Sequence, residues 1–84
     1  MNQLWLVKLK ADSGLGLVTM TGLLRAPAES RARTILGMLI DENNIDSKRK
    51  NTFYDYLIDK LELFNEEIHG PQHLYGFIDE YFNH

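Results

Sequence analysis

Gln3-Leu4-Trp5-Leu6-Val7-Lys8-Leu9-Lys10-Ala11, followed after a short break by Leu15 to Leu24, decides how this chain folds. Trp5, Val7, Leu9 and Ala11 lie on one side of a period of two, and Leu4, Leu6, Lys8 and Lys10 on the other. Successive side chains of a strand point to opposite faces, so this alternation predicts a strand. Asp12-Ser13-Gly14 is a turn signal, because glycine takes positive φ without steric cost. Residues 15–24 alternate again, with Val18, Met20 and Leu24 on one side and Leu17, Thr19, Thr21 and Leu23 on the other. A β-hairpin over residues 3–24 follows. Gly22 interrupts the second strand and is read as the site of a bulge.

Working outward, Pro27 suits the first turn of a helix. Ala28, Ala32, Ile35, Leu36, Leu39 and Ile40 then share one helical face, predicting a first helix over about 27–41. Glu29 and Arg33 stand one helical turn apart in the favourable order. Gly37 lies inside this helix, which suggests close approach by a neighbouring element. Glu42-Asn43-Asn44 is read as its end. Thr52 and Asp55 have the spacing of a capping-box variant. Tyr54, Leu57, Ile58, Leu61, Phe64 and Ile68 follow at helical spacing, predicting a second helix over 52–69. Gly70 can end it, and Pro71 stops propagation. Leu74, Phe77, Ile78, Tyr81 and Phe82 suggest a third helix over 72–82. The reading is a single α+β domain of order ββααα over residues 1–84.

At 84 residues the chain buries only about 60–65% of its unfolded surface, which leaves no room for a cleft between domains. Hydrophobic content of 44% and aromatic content of 11% argue for a folded chain rather than a disordered one. There are no cysteines, so disulfides and thiol chemistry are excluded. No apolar run has the length of a membrane span, and no secretory signal is evident, so a cytoplasmic protein without membrane contact is expected.

The net charge of −3 is unevenly spread. Residues 1–52 carry a net +3, whereas residues 53–84 carry −6 and hold Lys60 as their lone basic group. Eight aromatic rings fall in that acidic stretch, more than a small core readily hides. Tyrosine and phenylalanine favour interface centres, and charges favour the rim. Tyr56, Asp55, Asp59, Glu62, Glu66, Tyr75, Asp79 and Glu80 are therefore the candidate protein-binding residues, facing a partner with a basic surface. An inhibitor or adaptor role would suit such a surface, by analogy of size and charge with small inhibitors from phages and mobile elements.

Catalytic chemistry finds little support. None of Ser13, Ser30 and Ser47 sits in a nucleophile elbow, and Gly14-Leu15-Gly16 lacks the rest of a phosphate-binding fingerprint. Glu66 and His69 are one turn apart, but a single Glu-x-x-His unit is half of a di-iron pattern. No enzyme activity, cofactor or metal is expected. The alternative reading is a small nucleic-acid-binding regulator using Lys8, Lys10, Arg31, Lys48, Arg49 and Lys50. A structural subunit of a larger assembly is a third.

The hairpin is apolar on both faces, and a two-stranded sheet leaves both outer edges unpaired. A homodimer through the hairpins would cover the second face. Wrapping of that face by the later helices is the competing arrangement, and use of the hairpin itself as the surface for a foreign partner is the other.

Overall fold

The computed structural model describes residues 1–12, 16–49 and 56–82, with the side chains of Asp12 and residues 46–49 left aside. The alternating N-terminal residues form β1 (Gln3–Asp12) and β2 (Leu17–Ala26). They pair antiparallel in an unbroken register that sets Trp5 against Leu24, Leu6 against Leu23, Leu9 against Met20 and Ala11 against Val18. The faces read from the sequence are those observed. The turn residues Ser13 and Gly14 lie outside the described residues. Gly22 pairs regularly with Val7, so the expected bulge in β2 is absent.

Trp5, Val7, Leu9, Ala11, Leu24 and Ala26 pack beneath the next element, α1 (Glu29–Arg49). Ala32, Leu36 and Ile40 supply its buried stripe, and Ile35 and Leu39 flank it. The Trp5 indole N–H donates to the Ala26 carbonyl at 3.0 Å, which satisfies the ring's polar atom inside the core. Arg33 and Glu29 pair at 3.1 Å on the exposed side.

The helix does not stop at Glu42 as expected but runs to Arg49. Asparagine is a mediocre helix former, yet tertiary contact overrides propensity here. The Asn44 side chain is engaged: its Oδ1 accepts the Tyr56 N–H at 2.9 Å and its amide donates to the Tyr56 carbonyl at 3.4 Å. Gly37 also departs from expectation, since nothing approaches the position a Cβ would take. The closely approached glycine is Gly22, where an added Cβ would lie 2.6 Å from Ile78 Cδ1.

The largest correction concerns residues 52–69. Tyr56–Leu63 form a strand, β3, rather than the middle of a helix; residues 50–55, with the expected cap at Thr52 and Asp55, lie outside the described residues. β3 pairs antiparallel with β1, giving the strand order β2-β1-β3. Lys8 faces Lys60 while Leu9 faces Ile58, so Asp59 is an extra residue, a bulge. This bulge explains the misreading. Tyr56, Ile58, Leu61 and Leu63 lie opposite Ala11, Leu9, Val7 and Trp5 and share their face. The inserted residue stretches the interval from Ile58 to Leu61 to three, which imitates a helix.

The remaining helical segments are short: α2 (Glu66–His69), one 3-10 turn (Gln72–Leu74) and α3 (Ile78–Phe82). Gly70 ends α2 with φ of 89°, as its residue type suggested. The expected helix over 72–82 is broken because Tyr75 is extended and Gly76 lies against the sheet. The Leu23 N–H donates to the Gly76 carbonyl at 2.9 Å, and Phe77 forms a parallel bridge with Leu23. The fold is α+β, with one antiparallel sheet and α1 across one face.

The hairpin is not left open as a two-stranded sheet would be. β1 is the central strand, paired on both sides. Residues 64–77 cross the second face from the β3 side to the outer edge of β2. Leu23 and Leu6 are buried there, and Leu4 is half-buried. Of the four hairpin leucines on this face, Leu4, Leu6, Leu17 and Leu23, Leu17 alone is exposed. The chain's own later segment covers the end of that face around Leu6 and Leu23, in the manner of the competing arrangement but with less helix, and leaves the end around Leu17 and Leu57 exposed.

Candidate functional site

The candidate protein-binding residues divide into a knot on the second face and a rim at the edge of β2. The knot starts at Asn65, whose Oδ1 caps α2 by accepting the Glu67 N–H at 2.9 Å. The Asn65 N–H donates to His69 Nδ1 at 3.0 Å. A neutral imidazole accepts at one nitrogen and donates from the other, so this contact leaves the ring hydrogen on Nε2. That nitrogen meets Glu62 Oε1 at 2.6 Å. The Tyr75 hydroxyl donates to the His69 carbonyl. Phe64 stacks on the His69 ring at 5.5 Å and meets Tyr75 edge-on at 5.8 Å. Glu62 and Tyr75 thus tie the crossing segment to the sheet. The same contacts account for His69, whose side chain is 8% exposed.

Tyr56 is a core residue, 8% exposed, with its ring 5.7 Å from that of Phe82. It is not a surface ring, which corrects its expected place in a contact surface. Asp59 occupies the bulge and lies 3.5 Å from Lys10. Glu66 is exposed in the first turn of α2, and Asp55 lies outside the described residues. Most described rings of this half are packed: Phe77 lies under the Arg25 guanidinium at 4.1 Å, and Tyr81 is the large exposed one. Helical reading of residues 56–63 could not show this, because it placed Tyr56 and Asp59 on the wrong faces.

The rim holds Asp79 and Glu80, both exposed on α3. Beside them Met20, Thr21, Gly22, Gly76, Phe77, Ile78, Glu80 and Tyr81 line a groove of about 410 Å³. Glu80 is the single charged group among the described residues of that lining. The groove runs along an edge of the sheet that is still open. The Leu23 N–H points outward to Gly76, so by strand alternation the backbone groups of Leu17, Thr19 and Thr21 also point outward. None of these three has a backbone partner on that side among the described residues. No sequence pattern marks this groove, because it forms only when α3 folds back over β2; Gly22, which makes room for Ile78, was expected to be a bulge instead.

The alternative, basic residues are dispersed. Lys8 and Lys10 lie on the second face, and β3 brings Lys60 directly opposite Lys8. Arg31 is exposed on α1, away from that face. Lys48 and Arg49 belong to the end of α1, and Lys50 lies outside the described residues. Among the described residues no group of histidines and carboxylates has the arrangement of a metal site, and no helix is long and apolar enough to cross a membrane. Compared with protein-family models, with curated proteins and with solved structures, the chain matches none.

Proposed function

We propose that this protein is a small, non-enzymatic interaction module that binds a protein with a basic surface, as an inhibitor or an adaptor would. The observation that carries the reading is the rim at β2: exposed Asp79 and Glu80 beside Tyr81 and the groove along an open strand edge. An exposed ring beside carboxylates suits a contact whose centre is aromatic and whose border is charged. The net −6 of residues 53–84 favours approach of a cationic partner and makes that approach sensitive to salt.

Affinity capture at low salt tests the reading, with Asp79→Lys/Glu80→Lys as the comparison. The wild-type chain retains a basic protein that elutes as salt rises, and the variant does not. Retention of the same proteins by both chains would refute it.

A second reading, a nucleic-acid-binding regulator, draws on the alignment of Lys8 and Lys10 with Lys60 on the open half of the second face. Lys10 is already turned to Asp59, and Glu62 follows Lys60 by two on the same face. The face is therefore mixed rather than basic. A mobility shift at physiological salt that is lost in Lys8→Ala/Lys60→Ala would move this reading ahead of the first.

A further inference from the structure

The two edges of the sheet are finished differently. At β3 the outward groups of Tyr56 are engaged by Asn44, Asp59 forms a bulge, and Lys60 adds a charge. Bulges, charges and covering elements are the devices that keep strand edges from pairing with other chains. At β2 the only backbone cover among the described residues is Gly76–Phe77 at Leu23. From Leu17 to Thr21 the edge has no charge, no proline and no bulge.

We infer that the outer edge of β2 accepts an extended strand from a partner protein, with a lysine or arginine at the strand position opposite Met20. This rests on the function proposed above and specifies its mode. Backbone pairing with Leu17, Thr19 and Thr21 would supply affinity, and the side-chain positions would supply selectivity. The bridge at Leu23 fixes where the added strand stops.

Strand alternation then assigns each position. Residues opposite Thr19 and Thr21 point to the threonine face and suit uncharged β-branched side chains. The residue opposite Met20 points to the other face. There Ile78 covers Gly22, and Glu80 and Tyr81 border the groove. A cation at that position meets the Glu80 carboxylate, and its alkyl stem lies along Met20 and Tyr81.

The test uses a capped synthetic pentapeptide, Thr-Val-Lys-Val-Thr, titrated into the full chain while amide hydrogen exchange is followed by NMR. At nine times its dissociation constant, exchange at Thr19 and Thr21 falls about tenfold. A peptide N-methylated at both valines gives no such protection, because the methyl groups remove the donors. Replacing the peptide's lysine by glutamate weakens binding about fivefold, the upper range for an exposed ion pair, and Glu80→Lys does the same to the original peptide. Unchanged exchange at Thr19 and Thr21 up to the peptide's solubility, or equal binding of the N-methylated peptide, would overturn the inference. So would a dimer in sedimentation that Thr19→Pro dissociates, since the occupant would then be a second copy of this chain. The two proposals fail separately. A basic protein whose capture needs Asp79 and Glu80 but survives Thr19→Pro, when the peptide gives no protection, leaves the module standing without strand addition.

Discussion

Gly22→Ala is the sharpest probe of how α3 is held on the sheet. The new Cβ would lie 2.6 Å from Ile78 Cδ1, 2.9 Å from its Cγ1 and 3.0 Å from the Gly76 carbonyl oxygen. Comfortable contacts between carbon atoms begin near 3.5 Å, so the two to Ile78 are too close, and the one to the oxygen is tight. Ile78 is 1% exposed and packed into the core, and Gly76 is held by its bond to Leu23. Overpacking of this kind costs about 1–3 kcal/mol. Alanine returns about 0.5–1 kcal/mol by restricting the unfolded chain. A net loss of about 1–2 kcal/mol is expected, or a fall in Tm of roughly 4–8 °C for each kcal/mol. Ile78→Val, which removes Cδ1, costs about 0.5–1.5 kcal/mol alone. In the Gly22→Ala background it should cost almost nothing, because it relieves the shortest contact. Urea unfolding followed through Trp5, the chain's single tryptophan, measures all four corners of the cycle. Additivity within about 0.5 kcal/mol would refute the contact, since only uncoupled sites add.

Other expectations follow from the same contacts. Asn44→Ala removes the acceptor of the Tyr56 N–H and should cost about 1–2 kcal/mol, with faster exchange at that amide; Asn44→Asp should retain most of it. Asn65→Ala removes the cap of α2 and should cost about 1 kcal/mol, visible as earlier urea unfolding, whereas Asn65→Ser should retain most of it. Deleting Asp59 leaves Tyr56, Ile58, Leu61 and Leu63 at a strict spacing of two, so the chain should still fold, with an unchanged far-ultraviolet dichroism spectrum. Deleting Leu57 destroys that spacing and should not be tolerated. Glu29→Ala breaks an exposed pair and should shift stability by no more than about 0.5 kcal/mol, less at high salt.

The hairpin was legible because its period of two is uninterrupted, and the register of Leu6 on Leu23 and Leu9 on Met20 follows from it. The stripe Ala32, Leu36 and Ile40 was equally plain. β3 was not, because one inserted residue at Asp59 converts a strand's spacing into something close to a helix's. That single error also hid the placement of Lys60 beside Lys8 and the burial of Tyr56. The site was less legible still. Glu80 and Tyr81 come together with Met20 through the backbone bond between Leu23 and Gly76 and the seating of Ile78 over Gly22, and no side-chain pattern encodes a backbone bond.

The placement of β1 at the centre of the sheet has a consequence for synthesis. Val7 waits for Leu61, about fifty residues later in the chain, before its strand is paired on both sides. At roughly 5–20 residues per second, a translating ribosome takes about 3–11 s to cover that distance. For that interval the nascent hairpin presents Leu6 and Leu23 on one side, and until α1 is made it presents the row from Trp5 to Ala11 on the other. Rare codons or a pause between the two strands would lengthen that exposure, and a holding chaperone would shorten its effect. Yield in a cell should therefore respond to the tempo of translation between Ala26 and Tyr56 more than to any surface substitution.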